Sequence, residues 1–388
     1  MMDSKVCWLL ATAAMIATLI PTTIAQECEP ETATFHASNQ TELDSLTGNC
    51  TTLLGSIYIS AHSMQALELF NITNITGGIE LYPDNTTTSI EFYDLEYAES
   101  IYILDYSDSS SLRRISLPKL QSVRTIFLQL NGHEPFIDAP VLEDAFQINL
   151  IGNWTNVTFK ALKEVHDSIE VAQYHEPLWR YDADKTPMDI SFPVLEKLNG
   201  SLDLTGSISG LSVPELGVIT AGGRSASGRV YIRHVGSRLS LSFPKLESIA
   251  DSAILEGNIS RIDLPLLHDL PYLSIYGDIP VSLNASIDNP ELINIYGPIE
   301  SLDFPNLSNF SQITISSHDP FDCNGFKKDL NKATDGSVDD DNYFCDAPSP
   351  SSGLSTGGKA GVGVGVGVGG LALLGLGFFL WRRRAKRK

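Results

Sequence analysis

The amino-acid sequence predicts an all-β fold: a right-handed parallel β-solenoid of roughly a dozen coils, followed by a single C-terminal transmembrane helix. Three observations predict it. A glycine followed by apolar residues at +5 and +7 and a proline at +8 occurs in five copies. Prolines and their substitutes at 118, 140, 160, 193, 214, 244, 265, 285 and 305 stand 20 to 22 residues apart, save for two gaps of 30 and 33. Near the C-terminus, an uncharged segment runs directly into a cluster of basic residues.

Taken in order, residues 1–25 read as a secretory signal peptide. Lys5 precedes the apolar stretch Val6 to Ile20, and Thr23-Ile24-Ala25 supplies the small residues of a cleavage site. An uncleaved signal anchor is the alternative. Cys7 leaves with the signal, so four cysteines remain, and they allow three pairings. The two local pairs close loops of similar size and the long interval between them holds no cysteine. Cys28–Cys50 and Cys323–Cys345 are therefore expected, each stapling one end. Zinc is disfavoured, because no CxxC spacing occurs. N-glycosylation is expected at Asn39, Asn71, Asn74, Asn85, Asn153, Asn156, Asn199, Asn258, Asn284, Asn306 and Asn309; Asn49 is the weakest sequon because it runs through Cys50.

Residues 26–345 are expected to form the solenoid. The full copies run Gly132 to Pro140, Gly206 to Pro214, Gly236 to Pro244, Gly257 to Pro265 and Gly297 to Pro305. Gly152 leads a degenerate copy to Lys160, and Gly277 the poorest, with Ser282, Asn284 and Ala285. Ser110 and Lys185 replace the glycine before Pro118 and Pro193. After the proline comes x-Leu-x-x-apolar, as in Pro244-Lys245-Leu246-Glu247-Ser248-Ile249. Before the glycine comes an alternating strand, as in Ser201–Leu204, Val230–Ile232, Leu273–Ile275 and Leu292–Ile295. Weaker coils precede these, with strands at Ile57–Ile59, Ile79–Leu81 and Ile101–Leu104.

A unit of this size holds too few apolar groups to bury a core alone, so it must stack on its neighbours. Glycine permits the corner, and proline follows where no donor is needed. The two long gaps hold insertions at Tyr174–Pro187 and Ala221–Gly228, and Asn324–Ala333 is expected as a short helix over the C-terminal end. An ordinary β-sandwich would not keep a fixed Gly-to-Pro spacing. Open solenoid ends expose unpaired strand edges, and the cysteine pairs lie where caps belong.

These coils resemble receptor L domains, the leucine-rich solenoid modules of growth-factor receptor ectodomains. More specifically, they are similar to the fungal cell-wall organisation proteins of the sporulation-specific and extracellular-matrix-mutant family. Cys28 with Thr32-Ala33-Thr34, then Cys50-Thr51-Thr52-Leu53-Leu54-Gly55-Ser56-Ile57, resembles that family's N-terminal cap. Phe321-Asp322-Cys323 with Phe326, then Asn342-Tyr343-Phe344-Cys345, resembles its C-terminal cap. The resemblance covers about Cys28 to Cys345 and implies a glycosylated, surface-located, non-enzymatic protein supporting wall integrity and morphology. The chain departs from the family at its C-terminus, where a glycolipid anchor after a long Ser/Thr stalk would be typical.

Here the stalk, 346–359, is short and rich in Ser, Gly and Pro. The uncharged segment Ala360 to Trp381 follows, long enough as a helix to span a ~30 Å hydrocarbon core. The basic tail 382–388 is a stop-transfer signal that places itself in the cytosol. The expected location is the plasma membrane, single-pass type I. The alternatives are a glycolipid anchor attached at Ser351-Ser352-Gly353, or early secretory residence through Lys386 and Arg384. Gly361, Gly365 and Gly369 make a flat strip on which a homodimer could form, the alternative being an apolar spacer.

Between Gln26 and Gly358 the side chains carry a net charge of −28, which argues against a nucleic-acid partner. No catalytic, cofactor or metal residues are assigned. Asp138, Asp263 and Asp303 occupy equivalent repeat positions, but Leu283 is expected between the last two, and paired carboxylates are what a polysaccharide-acting enzyme would need. Asp339-Asp340-Asp341 lacks the spacing of a calcium loop, and His133, His166, His175, His234, His268 and His318 are scattered. The first candidate for a ligand-binding loop is the aromatic insertion with Tyr174, Trp179 and Tyr181, the alternative being that Trp179 packs on the solenoid flank. The expected function is a non-catalytic cell-surface role in wall organisation, integrity or adhesion, with wall polysaccharide or wall and membrane proteins as partners. A co-receptor acting through a membrane partner is the alternative.

Overall fold

Alternating apolar residues make strands, and the chain winds those strands into a parallel β-solenoid of about 12 turns. The computed structural model describes residues 26–350, apart from 31, 49, 106, 108–109, 132–133, 176–179, 182–185, 223–226, 335 and 337. The expected signal peptide, the 360–381 span and the basic tail lie outside the described residues. Among the described residues, no helix is long and apolar enough to cross a membrane.

The core is a stack of columns in register. Ile57, Ile79, Ile101, Ile126, Ile148, Ile169 and Leu202 succeed one another coil by coil, and Ile59, Leu81, Ile103, Leu128, Leu150, Val171 and Leu204 run beside them. All are essentially fully buried. Each strand contributes two inward residues to these columns, so every coil adds a layer of Ile, Leu or Val to one continuous core. A second, seven-stranded parallel sheet closes the other side, with Leu67, Ile90, Ile115 and Ile137 in register. Towards the C-terminal end the second side continues through Leu241, Ile262, Leu283 and Leu302.

The recurring glycine and proline have distinct jobs. Gly257 and Gly297 turn the corner with φ of +98° and +114°, and a Cβ on either would stand 1.9–2.0 Å from a carbonyl oxygen of the preceding coil. Each proline sits second in a β-turn closed by the leucine two residues on. Leu120 N–H donates to the Leu117 carbonyl across Pro118, and the same bond spans Pro140, Pro193, Pro214, Pro244, Pro265 and Pro305.

One coil corrects the sequence alignment. Leu264 pairs with Ala285, so Ser286 stands where proline belongs, and the inward residues are Val281, Leu283 and Ala285. Without a proline to mark the turn, the expected register is off by one residue, and in a strand that exchanges the inward face for the outward one.

Both ends are capped. Cys28–Cys50 and Cys323–Cys345 are bonded, each with a sequence separation of 22. The helix Cys323–Ala333 lies where a short helix was expected. A second helix, Gln40–Thr47, was not anticipated; it sits in the first coil with Asn39 as its N-cap.

Candidate functional site

The outward residues of the long sheet also form columns, because parallel in-register strands repeat each position once per coil. One reads His36, Tyr58, Glu80, Tyr102, Phe127, Asn149, Glu170 and Asp203, then Tyr231 and onward to Phe344. His36 and Tyr58 stand 5.3 Å apart by ring centroids, Tyr58 and Tyr82 5.6 Å, and Tyr102 and Phe127 5.9 Å. Near the other end Tyr276 and Tyr296 stack at 5.2 Å with planes 5° apart, the ladder expected from their matching Ile-Tyr-Gly segments, yet 44% and 37% exposed.

A groove of about 340 Å³ opens on this face across four successive coils. Two bulges flank it. Between Asn74–Tyr82 and Tyr97–Asp105 the register skips, so that Thr76 and Gly77 oppose Glu99 alone; between Asp144–Gly152 and Glu164–Ala172, His166 and Asp167 oppose Phe146 alone. A bulge re-aims the side chains beside it. Glu99, Arg124, Phe146 and Asp167 line the groove beside Ser100, Thr125 and Gln147, which are in direct register.

The lining is already ordered. Tyr97 donates to Glu99 Oε2 at 3.2 Å, and Arg124 Nε stands 3.4 Å from Glu99 Oε1. The Arg124 guanidinium lies over the Phe146 ring at 4.6 Å. Burial and the bond to Glu99 push the Tyr97 hydroxyl pKa up, so it stays protonated as a donor. Asp167 is only 4% exposed. Beside the groove, His166 Nε2 meets Asp144 Oδ2 at 2.7 Å, and Lys197 at 2.9 Å from Glu164 holds that carboxyl below its ordinary range.

The expected ligand loop is only partly placed. Tyr174–His175 and Arg180–Tyr181 pair as a two-stranded antiparallel hairpin, while Trp179 lies outside the described residues. The hairpin is anchored at its base by Gln173, whose amide donates to the carbonyls of Trp154 and Thr186 and accepts from Ser207 N–H. It runs beside Asp144–Gly152, where the outward residues Asn149 and Ile151 are buried.

The sequons divide. Asn71, Asn85, Asn156, Asn306 and Asn309 are exposed. Asn39 is occupied as a helix cap, accepting from Glu42 N–H and donating to Glu42 Oε1. Asn199, Asn258 and Asn284 donate to Glu164, to the Gly236 carbonyl and to Asp263 respectively. Asn74 and Asn153 have buried Oδ1 atoms. None of the sequon asparagines lies in the outward aromatic column.

Asp263, Asn284 and Asp303 are consecutive rungs, so an amide, not the expected Leu283, separates the two carboxylates. Asp138 is in register with Ser116 in the second sheet. His234 is buried, accepting from Ile208 N–H at Nδ1 and donating to the Ser237 carbonyl from Nε2. Asp339 caps its own turn through Asp341 and Asn342 N–H, and Asp340 pairs with Lys327 at 2.6 Å. Among the described residues no cluster of three or more His, Cys, Asp or Glu could hold a metal ion. Compared with protein-family models, with curated proteins and with solved structures, the chain matches none.

Proposed function

We propose that the protein is a non-catalytic cell-surface glycoprotein that supports the organisation, integrity or adhesion of a fungal cell wall. In this reading residues 1–25 direct secretion and residues 360–381 hold the chain in the plasma membrane with the solenoid outside. The observation that carries it is a disulfide-capped solenoid whose outward aromatic column bears no sequon, while five sequon asparagines are exposed elsewhere. Disulfides and sequons belong to the secretory route, and a rigid face with exposed aromatics fits recognition.

Two measurements test it. Cells lacking the protein should become sensitive to wall-perturbing dyes and recover with the full chain; unchanged sensitivity would overturn the wall role. With tags after Asp346 and at Lys388, both should remain on one membrane-held chain after phosphoinositide-specific lipase. Loss of the Lys388 tag with lipase release of the rest would replace the spanning helix by a glycolipid anchor.

A further inference from the structure

We infer that the groove beside Ser100, Thr125 and Gln147 is a binding site for a neutral polysaccharide lying along the solenoid axis. The inference rests on the wall reading above and deepens it, by naming a ligand class and a place on the molecule. Four features of the site carry it.

First, the site offers what a sugar ring needs. A pyranose presents an apolar C–H face and a rim of hydroxyls that both donate and accept. Tyr102, 37% exposed, supplies an aromatic face at the groove, and its pairing with Phe127 extends that platform to the next coil. Ser100, Thr125 and Gln147 offer donors and acceptors on three successive coils.

Second, the polar wall is fixed before any ligand arrives. Glu99 is held from both sides, by Tyr97 and by Arg124, and Arg124 is itself braced on Phe146. Fixed acceptors lower the ordering cost of binding.

Third, charge selects against polyanions. The groove holds two carboxylates, Glu99 and Asp167, against one guanidinium already engaged with Glu99, on a body of net charge −28. An acidic polysaccharide would be repelled.

Fourth, the shape suits a chain and disfavours a peptide strand. Aromatic rings recur along the axis from Tyr58 and Tyr82 to Tyr102 and Phe127, at coil steps of ~4.8 Å. A peptide adding by β-augmentation needs a free sheet edge, and the strands lining the groove, Tyr97–Asp105, Ser122–Leu130 and Asp144–Gly152, are paired on both sides.

The test uses the full-length chain in detergent and affinity electrophoresis through gels containing laminarin (a neutral β-glucan), polygalacturonate, chitosan or no polymer. Laminarin should retard the wild type, and polygalacturonate should not. Tyr102→Ala and Phe146→Ala should each weaken retardation at least tenfold, and Tyr276→Ala, on the distant ladder, should leave it unchanged. Phe146→Leu keeps the apolar volume while removing the ring, so it tests the site even if Phe146→Ala does not fold; it too should bind weakly. The groove assignment is overturned if the wild type runs freely in laminarin, if the groove variants bind as tightly as the wild type, or if chitosan or polygalacturonate proves the better ligand. Dye sensitivity of deleted cells without any glucan retention would leave the wall role standing and remove only the groove.

Discussion

Gly257 holds φ at +98°, and the Cβ of any other residue there would come within 1.9 Å of the His234 carbonyl oxygen. Gly257→Ala should therefore cost about 2–4 kcal/mol, combining left-handed strain with displacement of a neighbouring backbone. Gly336, at φ +86° with nothing within 4 Å of its Cβ position, is the matched control: Gly336→Ala should cost about 1 kcal/mol. Thermal melts of the two variants check the contrast, and equal losses would show that the clash relaxes freely. Asp84 gives a second prediction at this scale. Partial burial raises its pKa, but hydrogen bonds from the Thr86 hydroxyl, Ser63 N–H, Thr86 N–H and the Thr87 hydroxyl outweigh that and bring it to about 2. A folded-state pKa below the unfolded value stabilises the fold above pH ~4, and that contribution is lost as pH falls towards 2. Asp84→Asn should thus be less stable than the wild type at pH 7, and the difference should shrink on acidification across that window; a gap that stays constant with pH would contradict the linkage.

Among the elements, the caps hold the ends of an otherwise open stack. Each disulfide closes a 22-residue separation, for which loop entropy implies about 3 kcal/mol. In a solenoid each coil touches only its neighbours, so Cys28→Ser with Cys50→Ser should loosen the first coils locally. Hydrogen exchange should accelerate across Glu27–Cys28, Thr34–Ala37 and Ser56–Ser60 while Ser122–Leu130 stays protected. Uniform acceleration along the rod would mean the cap acts globally. The sequon elements predict a glycan map: peptide mass spectrometry should find Asn71, Asn85, Asn156, Asn306 and Asn309 occupied, and Asn199, Asn258 and Asn284 bare, since their amides are already spent on folded-state bonds. Full occupancy at the latter three would show that modification precedes and overrides these bonds. The solenoid itself was legible because proline turns and glycine corners are local, and local chemistry is written in consecutive residues. The helix Gln40–Thr47 is marked only by the capping pair of Asn39 and Glu42, and Asn39 belongs equally to a sequon, so the signal is ambiguous in the sequence. The Asp263–Asn284–Asp303 rungs are hidden in the sequence because their middle coil lacks the marker proline. The groove was not legible at all: Glu99, Arg124, Phe146 and Asp167 have no motif in common and meet only through the register of four successive coils.

Over the whole molecule, one core runs from cap to cap, and its strands lie across the long axis with their interstrand bonds along it. The chain enters at one end of the stack, with Glu27–Cys28, and leaves through Tyr343–Asp346, paired to Gln312–Ser316 at the other. A pull between these ends loads each ladder of hydrogen bonds as a zipper, one rung after another, and never shears many together. A stretched molecule should therefore yield coil by coil at modest force. Each event would release one repeat, 20 residues from Ile254 to Ser274 or 25 from Tyr102 to Phe127, a length of ~70–90 Å. The two disulfides remove the segments they enclose from that count. In a force spectrometer the trace should be a train of small teeth, wider where a coil carries an insertion, as in the 33 residues from Ile169 to Leu202, and under tension or shear such a rod would lengthen in steps before it failed.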